Sequence, residues 1–145
     1  MVFSRARIVA ALSVPLTAAT LLVAAPTANA AAGSSCDLSS GTGCLRIFYN
    51  SNRQGSSTYF YGSNVSNFAN YTFLTSGAGK GLTVKNNAAA AINDASSSTT
   101  IFFNSNYGGA CDTLTYYAIA DQLRNTYNNN ASFKFDYSAS SCYKF

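Results

Sequence analysis

Residues 47–55 read IFYNSNRQG and residues 101–109 read IFFNSNYGG, so the chain carries one pattern twice, 54 positions apart. Each copy begins with apolar and aromatic residues, which favour a β-strand. Each copy then passes through Asn-Ser-Asn, which favours a turn, and ends in glycine, which readily adopts a positive φ. The repeat therefore predicts a strand that folds into a tight hairpin in each half of the chain.

Short β-like segments follow each hairpin, and no long stretch shows the apolar period of a helix. Each repeat closes on an asparagine cluster, at 86–91 and at 128–133, and these clusters lie only 42 positions apart. The first repeat is therefore the longer one, and we assign its extra length to a surface loop over 64–80 with one helical turn near 67–71. The β-like segments are residues 57–61, 82–85, 110–117 and 132–137.

The two repeats predict an all-β fold, a sandwich of two antiparallel sheets packed face to face. We expect a single domain over residues 31–145, with one motif at about 44–93 and the other at about 99–137. Phe48 and Phe102 are expected to cover the hairpins at Gly55 and Gly109. The predicted core residues alternate along the first strand of each motif: Leu45, Ile47, Tyr49, Ile101 and Phe103.

Residues 1–30 have the three parts of an export signal. Arg5 and Arg7 precede an apolar run, and the segment ends on Ala28-Asn29-Ala30, which suits a signal peptidase. A membrane span is the alternative for this run, but a proline and two threonines interrupt it. Because Cys36 lacks the leucine-led pattern of a lipoprotein before it, we expect free secretion without a membrane anchor.

All four cysteines lie in the mature part of the chain: Cys36, Cys44, Cys111 and Cys142. An even number of cysteines in a short exported chain indicates disulfides, and three pairings are open. We favour Cys36 with Cys44, a local clip that needs little ordering, and Cys111 with Cys142, which ties the tail to the second repeat. A metal site is the alternative, but the chain has no CxxC spacing and no histidine.

The charged residues point to a binding protein rather than to an enzyme. Without Arg5 and Arg7, seven basic residues face five aspartates, a net charge of +2 that is too dispersed for nucleic-acid binding. The chain has no His and no Glu, which removes the commonest general base and the usual zinc ligand. The aspartates occupy no recognisable catalytic motif, so we expect no catalytic residue; they are Asp37, Asp94, Asp112, Asp121 and Asp136.

These features resemble two known groups of proteins. An aromatic residue seven positions before a glycine, at Phe48 to Gly55 and at Phe102 to Gly109, resembles the hairpin signature of the βγ-crystallin Greek-key motif. The mature chain also combines Cys36, Cys44-Leu45, NRQG at 52–55, KNNAA at 85–89, NYGG at 106–109 and NNNAS at 128–132. In this combination it resembles peptidase inhibitor family I36, the actinobacterial family of Streptomyces metalloproteinase inhibitor-like proteins.

The resemblance implies a βγ-crystallin-like sandwich that blocks the active-site cleft of an extracellular protease, foremost a metalloprotease, with a rigid loop. A disulfide-held loop loses little entropy on binding, which favours such a role. The sequence does not identify the inhibitory loop, and we expect the protein to be a monomer.

Many βγ-crystallin modules bind calcium through Asn/Asp, Ser and Thr oxygens, but both clusters here are degenerate. The first has alanines at 90 and 91 in place of the hydroxyls, and the second has Phe133 in its last position. Residues 93–98 match the pattern but lie out of register with the repeat ends, so we interpret them as a turn. We therefore expect no cofactor, with calcium as the open alternative at the residues that remain: Asn86, Asn87, Asn128, Asn129 and Ser132.

Two other kinds of function remain open. One is a secreted module that binds cell-wall glycan through exposed tyrosines rather than inhibiting a protease. The other is a killer-toxin-like antimicrobial protein, since some microbial toxins share the βγ-crystallin fold. The tyrosines considered for glycan binding are Tyr59, Tyr61, Tyr116 and Tyr117.

Overall fold

The computed structural model describes residues 30–37, 39, 41 and 43–145, so the expected export signal lies, apart from Ala30, outside the described residues. The described residues form two β-sheets, which confirms the all-β fold. One sheet has the order β1-β3-β2-β4-β7, with β1 at Ala31–Gly33, β2 at Cys44–Asn50, β3 at Gln54–Tyr61, β4 at Ala90–Asn93 and β7 at Ile119–Ala120. The other has the order β8-β5-β6-β9, with β5 at Thr99–Asn104, β6 at Gly108–Leu114, β8 at Ser132–Phe135 and β9 at Tyr143–Lys144.

Both predicted hairpins form, β2 with β3 and β5 with β6. The first turns at Asn52 and Arg53, with φ of 55° and 60°, and the second turns at the equivalent Asn106 and Tyr107, with φ of 60° and 67°. Gly55 follows the first turn with a φ of 75°, and a Cβ there would lie 2.9 Å from the carbonyl oxygen of Ala78. The glycine is therefore required both by its backbone conformation and by the close approach of the longer loop.

The segment that follows the hairpin in each repeat crosses to the sheet of the other repeat. In the first repeat, Val65 exchanges backbone hydrogen bonds with Phe133 of β8. In the second repeat, β7 begins at Ile119, the residue equivalent to Val65, and pairs with β4. Phe60, Phe68 and Phe133 meet in the shared core, with ring centroids 5.3 to 5.8 Å apart. The two repeats are thus interlocked around one main core.

The predicted core is largely confirmed, with one error. Leu45, Ile47 and Ile101 are fully buried and Tyr49 is half-buried, but the side chain of Phe103 is 42% exposed. The ladder register shifts between Phe102 and Asn104, as it does at the equivalent position of β2. In the first repeat Gly79 of the longer loop lies against the Tyr49 ring. The second repeat lacks these extra residues, so Phe103 stays uncovered.

The segment 64–80 of the first repeat agrees with its prediction in one respect and differs from it in another. The helical turn is confirmed at Phe68–Asn70, where the Asn67 side chain accepts a hydrogen bond from the Ala69 amide at 3.1 Å. The segment 64–80 is not simply a surface loop, because it buries Val65, Phe68 and Phe73 in the core.

The predicted strand at 82–85 is wrong, because only Thr83 pairs there, in an isolated bridge with Thr72. The strand of this repeat is instead β4, which occupies the position that β8 occupies in the second repeat. Alanine has little preference for strands, so the alanine run at its start did not reveal it.

Two disulfides join Cys36 to Cys44 and Cys111 to Cys142, the pairing that the sequence favours. Such bonds persist in oxidising environments. None of the helices among the described residues is long and apolar enough to cross a membrane.

Candidate functional site

The structure brings the two asparagine clusters together, and their backbone and side-chain groups hold turns. The backbone amide of Asn86 donates to the carbonyl of Asn130 at 2.8 Å, and the backbone amide of Asn128 donates to that of Ala88 at 2.9 Å. The side chains of Asn87 and Asn129 donate to carbonyl oxygens within their own turns, and the Ser132 hydroxyl donates to the carbonyl of Asn104 at 2.6 Å. Among the described residues, no three His, Cys, Asp or Glu side chains cluster as metal ligands would.

The third calcium-like match, at 93–98, contains a buried structural amide. The Asn93 side chain donates to the carbonyls of Ser97 at 2.7 Å and Thr115 at 2.8 Å, and its oxygen accepts from the Thr99 hydroxyl at 2.9 Å. Asn93 therefore ties the end of β4 to the turn that follows β6. At the neighbouring Asp94, partial burial raises the pKa of the carboxyl, while the positive charge of Arg46 acts in the opposite direction.

Residues 121–127 form an exposed loop that a buried carboxylate holds from below, and we name it the braced loop. Asp112 on β6 is 0% exposed, and its carboxylate accepts hydrogen bonds from the backbone amides of Arg124, Asn125 and Thr126 at 2.9 to 3.1 Å. The Thr126 hydroxyl adds a fourth donor at 2.8 Å. Hydrogen bonds to a charged acceptor are stronger than neutral ones, so the backbone of this loop is firmly held.

Contacts of Leu123 and Asp121 fix the start of the braced loop. The Leu123 side chain is buried, and its amide donates to the carbonyl of Ala89 at 2.9 Å. The Asp121 carboxylate pairs with Arg53 of the first hairpin at 2.7 Å. The backbone carbonyl of Asp121 accepts a hydrogen bond from the backbone amide of Asn52, also at 2.7 Å. The loop is thus held by both repeats.

A cavity of about 440 Å³ lies between the braced loop and the C-terminal tail. The Arg124 guanidinium stacks over the Tyr143 ring, 4.6 Å from its centroid, and the Tyr143 and Phe145 rings meet at 72°. The tail is held by the parallel pairing of β9 with β6 and by the Cys111–Cys142 disulfide. The lining residues are Gln122, Leu123, Arg124, Tyr127, Tyr143 and Phe145.

A turn with two exposed aromatic rings precedes β7. The side chains of Tyr116 and Tyr117 are 69% and 63% exposed, and Tyr117 has a φ of 53°, an uncommon conformation for an aromatic residue. The turn is held by Asn93 and by the Tyr117 amide, which donates to the carbonyl of Ala95 at 3.2 Å. The other two candidate tyrosines differ, because Tyr61 is half-buried and the Tyr59 ring lies under Arg46.

The sequence did not identify the residues that build the braced loop and the cavity. Asp112 had one signal, since aspartate is disfavoured in strands and lies here inside a predicted one. No sequence pattern marked Arg124, Tyr143 and Phe145 as site residues, because the tail reaches the loop through contacts between distant segments, the disulfide and the pairing of β9 with β6.

Comparison with known proteins supports the fold alone. No family profile and no curated protein sequence matches this chain. Among solved structures, the chain is similar to one described as "Evolution of the eye lens beta-gamma-crystallin domain fold", with a TM-score of 0.56 and 17% sequence identity. The match covers 77% of this chain and 100% of that chain. The described residues therefore have a βγ-crystallin domain fold.

Proposed function

We propose that this protein is secreted and inhibits an extracellular protease, and that a metalloprotease is the first class to test. The observation that carries the proposal is the braced loop, whose exposed side chains stand on a backbone held by the buried Asp112 carboxylate. A loop that is ordered before binding loses little conformational entropy on entering a protease cleft. The resemblance of the sequence motifs to peptidase inhibitor family I36 and the two disulfides add support.

The inhibitor acts as a binder rather than as an enzyme. Its loop side chains are of kinds that are enriched at the centres of protein interfaces, namely arginine and tyrosine at Arg124 and Tyr127. Extracellular proteases degrade flexible chains, and the disulfides and the hydrogen-bonded loop both oppose local unfolding.

The purified mature chain is expected to lower the activity of a thermolysin-like metalloprotease when the two are mixed at micromolar concentration. Charge reversal in Arg124→Glu is expected to weaken this inhibition by roughly tenfold or more, because an arginine at an interface hot spot contributes about 2 kcal/mol or more and about 1.4 kcal/mol corresponds to tenfold. Lys80→Glu makes the same charge change at an exposed residue outside the cavity and is the control. A residual-activity assay with thermolysin-like and subtilisin-like enzymes measures both effects, and full activity of every protease together with digestion of the chain would refute the proposal.

A second candidate, binding to cell-wall glycan, is favoured by the exposed rings of Tyr116 and Tyr117. Aromatic rings that are apolar on their faces and polar at the hydroxyl suit contact with sugars. We expect the double variant Tyr116→Ser, Tyr117→Asn to lose retention on insoluble peptidoglycan or chitin in a pull-down. Asparagine is chosen because it tolerates the positive φ of Tyr117. If the unaltered protein is not retained on either polymer, this candidate is dismissed.

A further inference from the structure

The cavity beside the braced loop combines one cationic side chain with apolar walls. Leu123 is buried at its base, and Tyr127, Tyr143 and Phe145 form aromatic walls. Its volume of about 440 Å³ lies within the range of small-ligand sites. Arg124 has the only charged side chain among the residues that line it.

The guanidinium of Arg124 is oriented but unpaired. Among the described residues it makes no hydrogen bond and no ion pair, and its contact is the face of the Tyr143 ring. The other two described arginines differ, because Arg53 pairs with Asp121 at 2.7 Å and the Nε of Arg46 donates to the Ser57 hydroxyl at 3.1 Å. Arg124 thus keeps its planar set of N–H donors for a ligand, and stacking limits the side-chain freedom that binding would remove.

Both sides of the cavity are fixed by the fold. The Arg124 backbone is held by the Asp112 carboxylate at 3.1 Å. On the other side, Phe145 is held by its backbone amide, which donates to the carbonyl of Thr113 at 2.9 Å, and by its main-chain oxygen, which accepts from the Thr115 hydroxyl at 2.8 Å. The backbones that carry Arg124 and Phe145 are therefore held in place before a ligand arrives, which lowers the entropy cost of binding.

We propose that this cavity binds a carboxylate-bearing residue of a partner protein, with Arg124 pairing the carboxylate and the aromatic walls packing against its apolar neighbours. A guanidinium matches a carboxylate in a bidentate geometry. The one charged side chain of the cavity, the guanidinium of Arg124, can balance the single negative charge of a carboxylate. The Tyr143 and Phe145 rings meet at 72°, so they form a corner for an apolar side chain rather than a flat platform for a sugar. This inference deepens the proposed function, since the partner would be the target protease.

The test uses a small probe, so that it needs no protease. We expect N-acetyl-phenylalanine, which carries a carboxylate, to shift the amide NMR signals of Gln122, Arg124 and Phe145 in the ¹⁵N-labelled mature protein. The neutral N-acetyl-phenylalanine amide is expected to bind about tenfold more weakly or worse, because it lacks the charged partner. Arg124→Gln is expected to reduce binding of the acid to the level of the amide. Lys144→Gln removes the same charge from an exposed residue that does not line the cavity and should leave binding unchanged.

The inference is overturned if acid and amide bind equally, if neither shifts these signals, or if Lys144→Gln weakens binding as much as Arg124→Gln. Tighter binding of glucuronic acid than of the N-acetyl amino acid would also overturn it, because the occupant would then be a glycan. If the acid binds through Arg124 but no protease is inhibited, the cavity inference stands and the inhibitor function fails. If proteases are inhibited but the probe does not bind, the inhibitor function stands and the cavity inference fails.

Discussion

Replacement of Asp112 by alanine is expected to lower the free energy of unfolding by about 3 to 5 kcal/mol and to release the braced loop. The carboxylate is fully buried and accepts from three backbone amides and one hydroxyl, on Arg124, Asn125 and Thr126. Alanine removes the acceptor and keeps all of these donors, and each unsatisfied buried donor costs about 1 to 3 kcal/mol. The cost per donor should lie near the lower end of this range, at about 1 kcal/mol, since water can enter the vacated space.

Urea denaturation measures the loss of stability, and hydrogen exchange at the amides of Arg124, Asn125 and Thr126 reports release of the loop. The control is Asp121→Ala in the same loop. Its carboxylate is half-exposed and pairs with Arg53, so its loss should cost about 1 kcal/mol or less. If Asp112→Ala prevents folding altogether, Thr126→Val, which removes only the hydroxyl donor, should still destabilise the protein by about 1 kcal/mol. Equal effects of the two aspartate variants would contradict the role assigned to Asp112.

The double variant Cys111→Ser, Cys142→Ser is expected to lose roughly 3.5 kcal/mol of stability and to detach the C-terminal tail. The disulfide spans 31 residues and lies in a small buried cluster with Phe102. Without it, the tail is held mainly by the short strand β9 and by the hydrogen bonds of Phe145. A pairing as short as that of β9 with β6 is weak by itself. Tyr143 and Phe145 are therefore expected to leave the wall of the cavity.

Thermal unfolding should show a midpoint lower by on the order of 10 to 15 °C for a domain of this size. The matched control is Cys36→Ser, Cys44→Ser, whose disulfide spans only 8 residues and should contribute about 2.5 kcal/mol. Only the first variant should make the NMR signals of Tyr143 and Phe145 resemble those of a disordered chain. Native tail signals in that variant, or a larger loss in the control, would show that the tail is held by other contacts.

Much of the fold followed from local chemistry. The Asn-Ser-Asn turns at Asn52 and Asn106 both adopt the positive φ that asparagine tolerates, and the glycines after them meet close neighbours. The hairpin glycines recur 54 positions apart and the asparagine clusters 42 positions apart, so the extra residues of the first repeat lie between its glycine and its asparagine cluster. These predictions succeeded because a hairpin is specified by residues that are adjacent in the chain.

Two of the errors, at Phe103 and in the segment 64–80, arose where a distant segment decides the environment of a residue. Tyr49 and Phe103 occupy equivalent positions, yet Gly79 lies against Tyr49 alone. Val65 and Phe68 lie in a stretch dominated by Ser, Asn and Gly, but their backbone hydrogen bonds to Phe133 and Ala131 of the second repeat place them in the core.

By itself, the sequence determined the all-β class, the two hairpins, the repeat and the favoured disulfide pairing. Only the tertiary structure revealed the braced loop and its cavity. Asp112 and Thr126 are 14 residues apart, and Arg124 and Tyr143 belong to separate segments, so no local pattern signals either contact. The Asp112 carboxylate supports the braced loop only because the fold places β6 beneath that loop. Arg124 becomes a candidate anion site only because the folded tail places the Tyr143 ring against its guanidinium.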